Sequence, residues 1–166
     1  MTRALLRLFF LAALAVLCFF GWRWLHPSAE QVIRHRLFDL ARTASIPGNE
    51  GQLVKLANAE KLASFFTTNT EITVEIPGHF AQTIFGRGEV QEKAYGARMV
   101  LGGLQVEFLD VGVTVAPDAQ TAVARLTAKA TFPGETGPQV EELKADLKKV
   151  DGDWLIDRAQ NVKTLH

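Results

Sequence analysis

The stretch "VEELKADLKKVDGDWLIDRAQNVKTL", Val140 to Leu165, decides how this chain folds. "DGD" at 151–153 is a tight-turn signal, because an Asp-Gly pair accepts the backbone angles of a short hairpin loop. The sequence on either side reads with period two, so 140–150 and 154–165 are predicted to be the two strands of a hairpin. Working backward, "TAVARLTAKATF" (121–132) and "LQVEFLDVGVTV" (104–115) largely keep that period. Their turns are "PGETGPQ" and "APDAQ". Four consecutive, closely joined strands predict an antiparallel meander.

Before Gly102-Gly103 the period is mostly helical. Ser28 with Gln31 forms a capping-box pattern, and Ile33, Leu37, Leu40 and Ala44 then recur as one stripe. "SIPGNEG" (45–51) is a loop. A second helix is predicted over 52–66, burying Leu56, Ala59, Ala63 and Phe66, and making a helical hairpin with the first. "TEITVEI" (70–76) alternates as a strand with Ile72, Val74 and Ile76 on one face. It breaks at Pro77-Gly78, and a third helix is predicted from Glu89 to Leu101, with Val90, Ala94, Ala97 and Leu101 on one face. Helix, helix, short strand, helix and four long strands make an α+β domain.

Ahead of it lies an apolar run, "LFFLAALAVLCFFG" from Leu8 to Gly21. Extended to Ala4–Leu25, a helix would be about 33 Å long, enough for the roughly 30 Å hydrocarbon layer. Arg7 and Arg23 would then snorkel to the two interfaces, with Trp22 and Trp24 in an aromatic belt. Residues 1–27 are therefore expected to be one transmembrane helix in contact with membrane lipid. A cleaved signal peptide is the rival, but "CFFGWRW" offers no small-residue cleavage site. Arg3, Arg7 and the amino terminus tip the charge bias, so the domain of residues 28–166 is expected outside the cytoplasm, in a periplasm.

The chain has 166 residues, with 18 basic and 18 acidic side chains. That balance gives no basic footprint for nucleic acid. One cysteine, Cys18, excludes an internal disulfide and a cysteine-based metal site. The histidines are scattered without metal-ligand spacing, so no metal and no cofactor are expected.

Three short motifs carry a family resemblance. "TVEIPG" resembles the first strand, and its Pro/Gly exit, of the nuclear transport factor 2-like superfamily, which includes ketosteroid isomerases and SnoaL-like cyclases. "GRGEV" resembles the start of that family's third helix, and "LKKVDGDWLIDRA" its closing hairpin. The resemblance covers about residues 28–166. It implies three helices packed on a strongly curved, mostly antiparallel, cone-like sheet. Isomerase-like members use a tyrosine on the first helix, an acid next to the strand-ending proline and a second acid on a later strand. Here the first position looks like Leu37 and the second like Ile76, and only Asp146 looks like the second acid. With two of three roles missing, the resemblance implies no catalytic residue of that kind.

Other residues are candidates for a pocket. His79 and Phe80 lie in the loop after the first strand, with Phe85 near its end. Tyr95 and Met99 lie on the third helix and Phe108 on a strand. Asp110 shares a face with Val106 and Phe108 by alternation, so it is either a cavity acid or, if a bulge forms beside Gly112, turned outward. Glu107, Arg125 and Lys129 lie on sheet faces where they could line a concavity or meet a partner. The leading expectation is a membrane-anchored, non-catalytic domain. It would associate through its sheet face with a second copy or another envelope protein. A small apolar ligand bound by His79, Phe80, Phe85, Tyr95, Met99, Phe108, Asp110 and Asp146 is the second expectation. An isomerase- or cyclase-like enzyme using a carboxylate in the cone is the third.

Overall fold

The computed structural model describes residues 28–74 and 82–162. Helix α1 is Ala29–Ala44, α2 Gln52–Ala63 and α3 Gly86–Val100. The strands are β1 Phe66–Val74, β2 Gln82–Phe85, β3 Gln105–Val115, β4 Thr121–Thr131, β5 Gln139–Val150 and β6 Asp153–Asn161. They form a six-stranded mixed sheet in the order β2-β1-β6-β5-β4-β3. The β3–β6 meander is antiparallel as predicted. The transmembrane segment expected in residues 1–27 lies outside the described residues; among these, no helix is long and apolar enough to cross a membrane.

Helix α1 begins where its cap predicts. Ser28 Oγ accepts from the Gln31 amide at 3.3 Å, and Gln31 Oε1 accepts from the Ser28 amide at 3.4 Å. The helix lays Ile33, Leu37 and Leu40 on the sheet. Beneath it β4 supplies Ala122, Ala124 and Leu126, and β5 supplies Ala145 and Leu147, all buried. Alanines at the crossing let the helix come close without a void. Trp154 and Ile156 of β6 complete the core, as the closing hairpin implied.

Strand β2 forms where the sequence reads as a connector, α3 starts at Gly86 instead of Glu89, and the α2–β1 boundary also differs from the prediction. Helix α2 stops at Ala63, and Phe66 opens β1 instead of closing the helix. Phe66 pairs with Ile156 of β6, so β1 runs parallel to the last strand. That long-range pairing outweighs the local 59-63-66 spacing. Leu56, predicted to be buried, is 47% exposed and shares that fate with Leu53 and Val54. Helix α2 turns its small residues, Ala59 and Ala63, inward, and packs mainly on α3 instead of pairing with α1.

Between Phe66 and Glu71 the β1 register shifts. The displaced backbone is held by side chains: Arg87 donates from Nε and Nη2 to the Phe66 carbonyl at 2.9 and 2.6 Å. Thr70 donates to the Asp157 carbonyl at 3.2 Å. Gly86 starts α3 at φ +79°, and a Cβ there would sit 3.2 Å from the Thr68 carbonyl oxygen. "GRG" is thus a helix-starting turn. Ile72 is half-buried and Val74, at the strand end, is 38% exposed, while Ile76 lies outside the described residues.

The outer edge of β3 is blunted. Ser45 Oγ accepts from the Val106 amide at 3.0 Å, Ile46 bridges Leu104, and Arg34 Nη1 donates to the Val111 carbonyl. Covering an edge in this way discourages strand addition by another chain.

Candidate functional site

Pairing register divides the sheet residues into two faces. Ala124, Leu126, Leu143, Ala145 and Leu147 look toward the helices. Their neighbours along each strand look away and form rows across the outer face. One row is Glu107, Lys129 and Val140; the next is Leu109, Thr127 and Glu142. Then come Gly112, Arg125, Lys144 and Gln160, and after them Thr114, Val123, Asp146 and Arg158.

Acids and bases are matched on this face. Lys129 donates to Glu107 at 2.9 Å, and Lys144 lies 3.3 Å from Asp146. Lys148 and Asp157 are 2.8 Å apart, and Arg158 and Glu71 3.0 Å. The hydrogen bond from Lys129, helped by its charge, holds the Glu107 carboxyl below the usual carboxylate range. Such pairs are half-exposed and individually weak. Their effect is to neutralise the face.

Three open depressions are lined by residues of this face. One, about 310 Å³, lies among Thr114, Val123, Asp146, Leu147 and Lys148. A second, about 230 Å³, lies among Thr67, Asn69, Arg87 and Leu155 and shares the Lys148–Asp157 pair with the first. The third, about 240 Å³, is lined by Asp110, Arg125, Thr127, Glu142 and Val162.

The bulge at Asp110 forms. The β3–β4 register shifts between Leu109 and Gly112, and Asp110 takes φ +51°. Val111 then occupies the inward position and is 7% exposed, while Asp110 opens outward. Asp146 is half-exposed on the same outer face, in a different depression. Phe108 packs against the core. Tyr95 is half-buried on α3, whereas Met99 and Phe85 are 46% and 63% exposed. His79 and Phe80 lie outside the described residues. Leu37, where the resemblance would put a tyrosine, is a core residue at 2% exposure. Asp110 and Asp146 therefore face water on the far side of the sheet from Leu37. Among the described residues no histidine, cysteine and carboxylate group gathers with metal-binding geometry.

One polar centre had not been anticipated. Arg98 of α3 is 1% exposed, and its Nη1 binds both Glu50 oxygens at 2.7 Å. Its Nη2 donates to the carbonyls of Thr43 and Ser45, and Asn58 donates to Glu50 at 2.7 Å. These bonds tie α3 to the α1–α2 loop. A trace was present in the sequence: Arg98 stands eight residues after Val90, on the apolar stripe of α3.

Comparison with protein-family models and with curated proteins finds no match. Solved structures do match. A nuclear transport factor 2 (NTF2)-like protein with a cystatin-like fold from Novosphingobium aromaticivorans has TM-score 0.57 and 23% identity, over 77% of this chain and 79% of that one. A putative scytalone dehydratase from the same organism has TM-score 0.60 and 17% identity, over 81% and 83%. The yeast UBP3-associated protein BRE5 has TM-score 0.60 and 10% identity, over 84% of this chain and 100% of its own. The chain has the NTF2-like, cystatin-like fold. At these identities the likeness is one of fold, which hosts both enzymes and binding modules.

Proposed function

We propose that this domain is a non-catalytic association module. It is held at a membrane by its N-terminal segment, on the periplasmic side, and binds protein through the outer face of the sheet. The observation that carries this reading is the make-up of that face. It is neutralised by internal ion pairs, holds three depressions, and exposes Leu109 at 43%, Val140 at 55% and Val162 at 39%. Mixed apolar and paired polar groups suit a non-obligate interface. The blunted β3 edge favours contact by the face over contact by strand addition. BRE5, described as associated with another protein, is a precedent for association on this fold.

A photo-crosslinking residue at Val123, in the full chain in its own membranes, tests the proposal. It should give protein adducts that the same residue at Lys93, on the exposed side of α3, does not. Equal adducts from both positions, or none from Val123, would count against it.

A second reading, a small apolar ligand held where β2 meets α3, is favoured by Phe85, which is 63% exposed there. Binding of an environment-sensitive apolar dye that weakens in Phe85→Ala would support it; unchanged binding would sink it.

A further inference from the structure

We infer that the hollow of about 230 Å³ lined by β1, β5, β6 and the start of α3 is a binding site for a small monocarboxylic acid with an apolar body. Arg87, Lys148, Thr68 and Asn69 hold its carboxylate, and Leu155 and Val150 its body. The site goes beyond the association reading above and does not depend on it.

The first observation is a surplus of donors. Among the described residues Asp157 is the one acid lining this hollow, and both its oxygens are engaged. Its Oδ1 accepts from Thr67 at 3.0 Å, and its Oδ2 lies 2.8 Å from Lys148 Nζ. The Lys148 ammonium keeps further N–H donors. Arg87 uses Nε and Nη2 on the Phe66 carbonyl and pairs with no carboxylate among the described residues, so its Nη1 is open. The side chains of Thr68 and Asn69 are exposed and make no hydrogen bond among the described residues. Two cations against one acid leave one positive charge uncompensated, which matches a monoanion. A dianion would be repelled by Asp157.

The second observation is backbone. A regular strand sends successive side chains to opposite faces. The register shift between Phe66 and Glu71 breaks that alternation, so Thr67, Thr68 and Asn69, three consecutive polar residues, all line one hollow. The same irregularity sets the Phe66 carbonyl against Arg87, which fixes the guanidinium in the wall of the hollow. A bulge that gathers hydrogen-bonding side chains around a cation is a feature to explain by use.

The third is the apolar part. Trp154 and Ile156 belong to the core, so Leu155 between them looks the other way by alternation, and it is nevertheless only 7% exposed. It lines the hollow together with Val150, which is 40% exposed. Apolar surface beside a few convergent polar groups is the usual make-up of a small-molecule site. A carboxylate on a short hydrocarbon body answers both halves, whereas a bare inorganic ion answers only the first.

Titration of the isotope-labelled full chain in a non-ionic detergent, followed by NMR at constant ionic strength, tests the inference. Butyrate should shift the amide signals of Thr68 and Asn69 and the Arg87 Nε–H saturably. Butyramide, its neutral isostere, and inorganic phosphate should each bind about tenfold or more weakly. Lys148→Met should weaken butyrate binding about tenfold and Asn69→Ala about threefold. Lys144→Met, which removes a cation elsewhere on the face, should leave it unchanged. Thermal melts, and an Arg87 Nε–H signal unmoved in the ligand-free variants, would verify that the bulge is intact. Equal binding of butyramide would show that no anion is recognised, and phosphate bound as tightly as butyrate would mean an adventitious ion only; either overturns the carboxylic-acid site. Butyrate shifts that survive both Lys148→Met and Asn69→Ala, or that never saturate, overturn the hollow itself. Photo-crosslinking from Val123 reads association separately, so failure of one reading leaves the other standing.

Discussion

The two faces of one sheet solve opposite problems with alternating residues of the same strands. On β4, Ala122, Ala124 and Leu126 are 3%, 0% and 6% exposed beneath the helices. Between them, Val123 and Arg125 look out. The inner face is built from small and branched apolar groups fitted to α1. The outer face is a checkerboard of charges, threonines and valines, with hollows between. A strand lying on solvent alone needs only polarity on that side. The matched charges and the hollows on this one suit a second surface instead.

Perturbations should separate the two faces. The largest effect is expected where charge is buried on the helix side: Arg98→Met leaves Glu50 without its partner and should cost about 3–5 kcal/mol in chemical denaturation. The Glu50→Gln/Arg98→Met double variant should recover part of that loss; additive losses would show that the pair is not coupled. Leu37→Ala opens a hole under α1 and should cost about 2–5 kcal/mol by the same measurement. A much smaller loss would mean that α1 does not set the core. Ser28→Ala removes the capping hydroxyl and should cost about 1 kcal/mol. Val123→Arg on the outer face should change monomer stability by less than about 0.5 kcal/mol while abolishing association. If it unfolds the monomer instead, the outer face belongs to the core. The smallest effect is titration of Glu107. Its carboxyl is lowered by Lys129, so the folded form binds that proton less readily than the unfolded chain. The pair's contribution is therefore present above the ordinary carboxylate range and fades as pH falls through it. The difference in melting temperature between wild type and Lys129→Met should shrink on acidification; a difference that grows would reverse the assignment.

The meander was legible because its information is local. Period-two runs and an Asp-Gly turn fix strands that pair with their chain neighbours. The NTF2-like fold followed from the same closing hairpin and the order of the elements. What was not legible depends on distant partners. Phe66 reads as the last apolar residue of a helix until Ile156 is placed beside it. Arg98 reads as one more helical base until the loop carrying Glu50 folds over it. Asp110 lay between two cases. Alternation put it inward, Gly112 hinted at a bulge, and only the β3–β4 register decides which holds.

The central claim is that the outer face is covered in the assembled protein although it is open in the single chain. Cysteine labelling tests this most directly, with Cys18 replaced by serine and a single cysteine placed at Leu109 or at Lys93, both exposed. In membranes, Leu109→Cys should react with a water-soluble maleimide about tenfold more slowly than Lys93→Cys, with the two rates converging when detergent dilution dissociates the complex. Equal rates in the intact membrane would contradict the account.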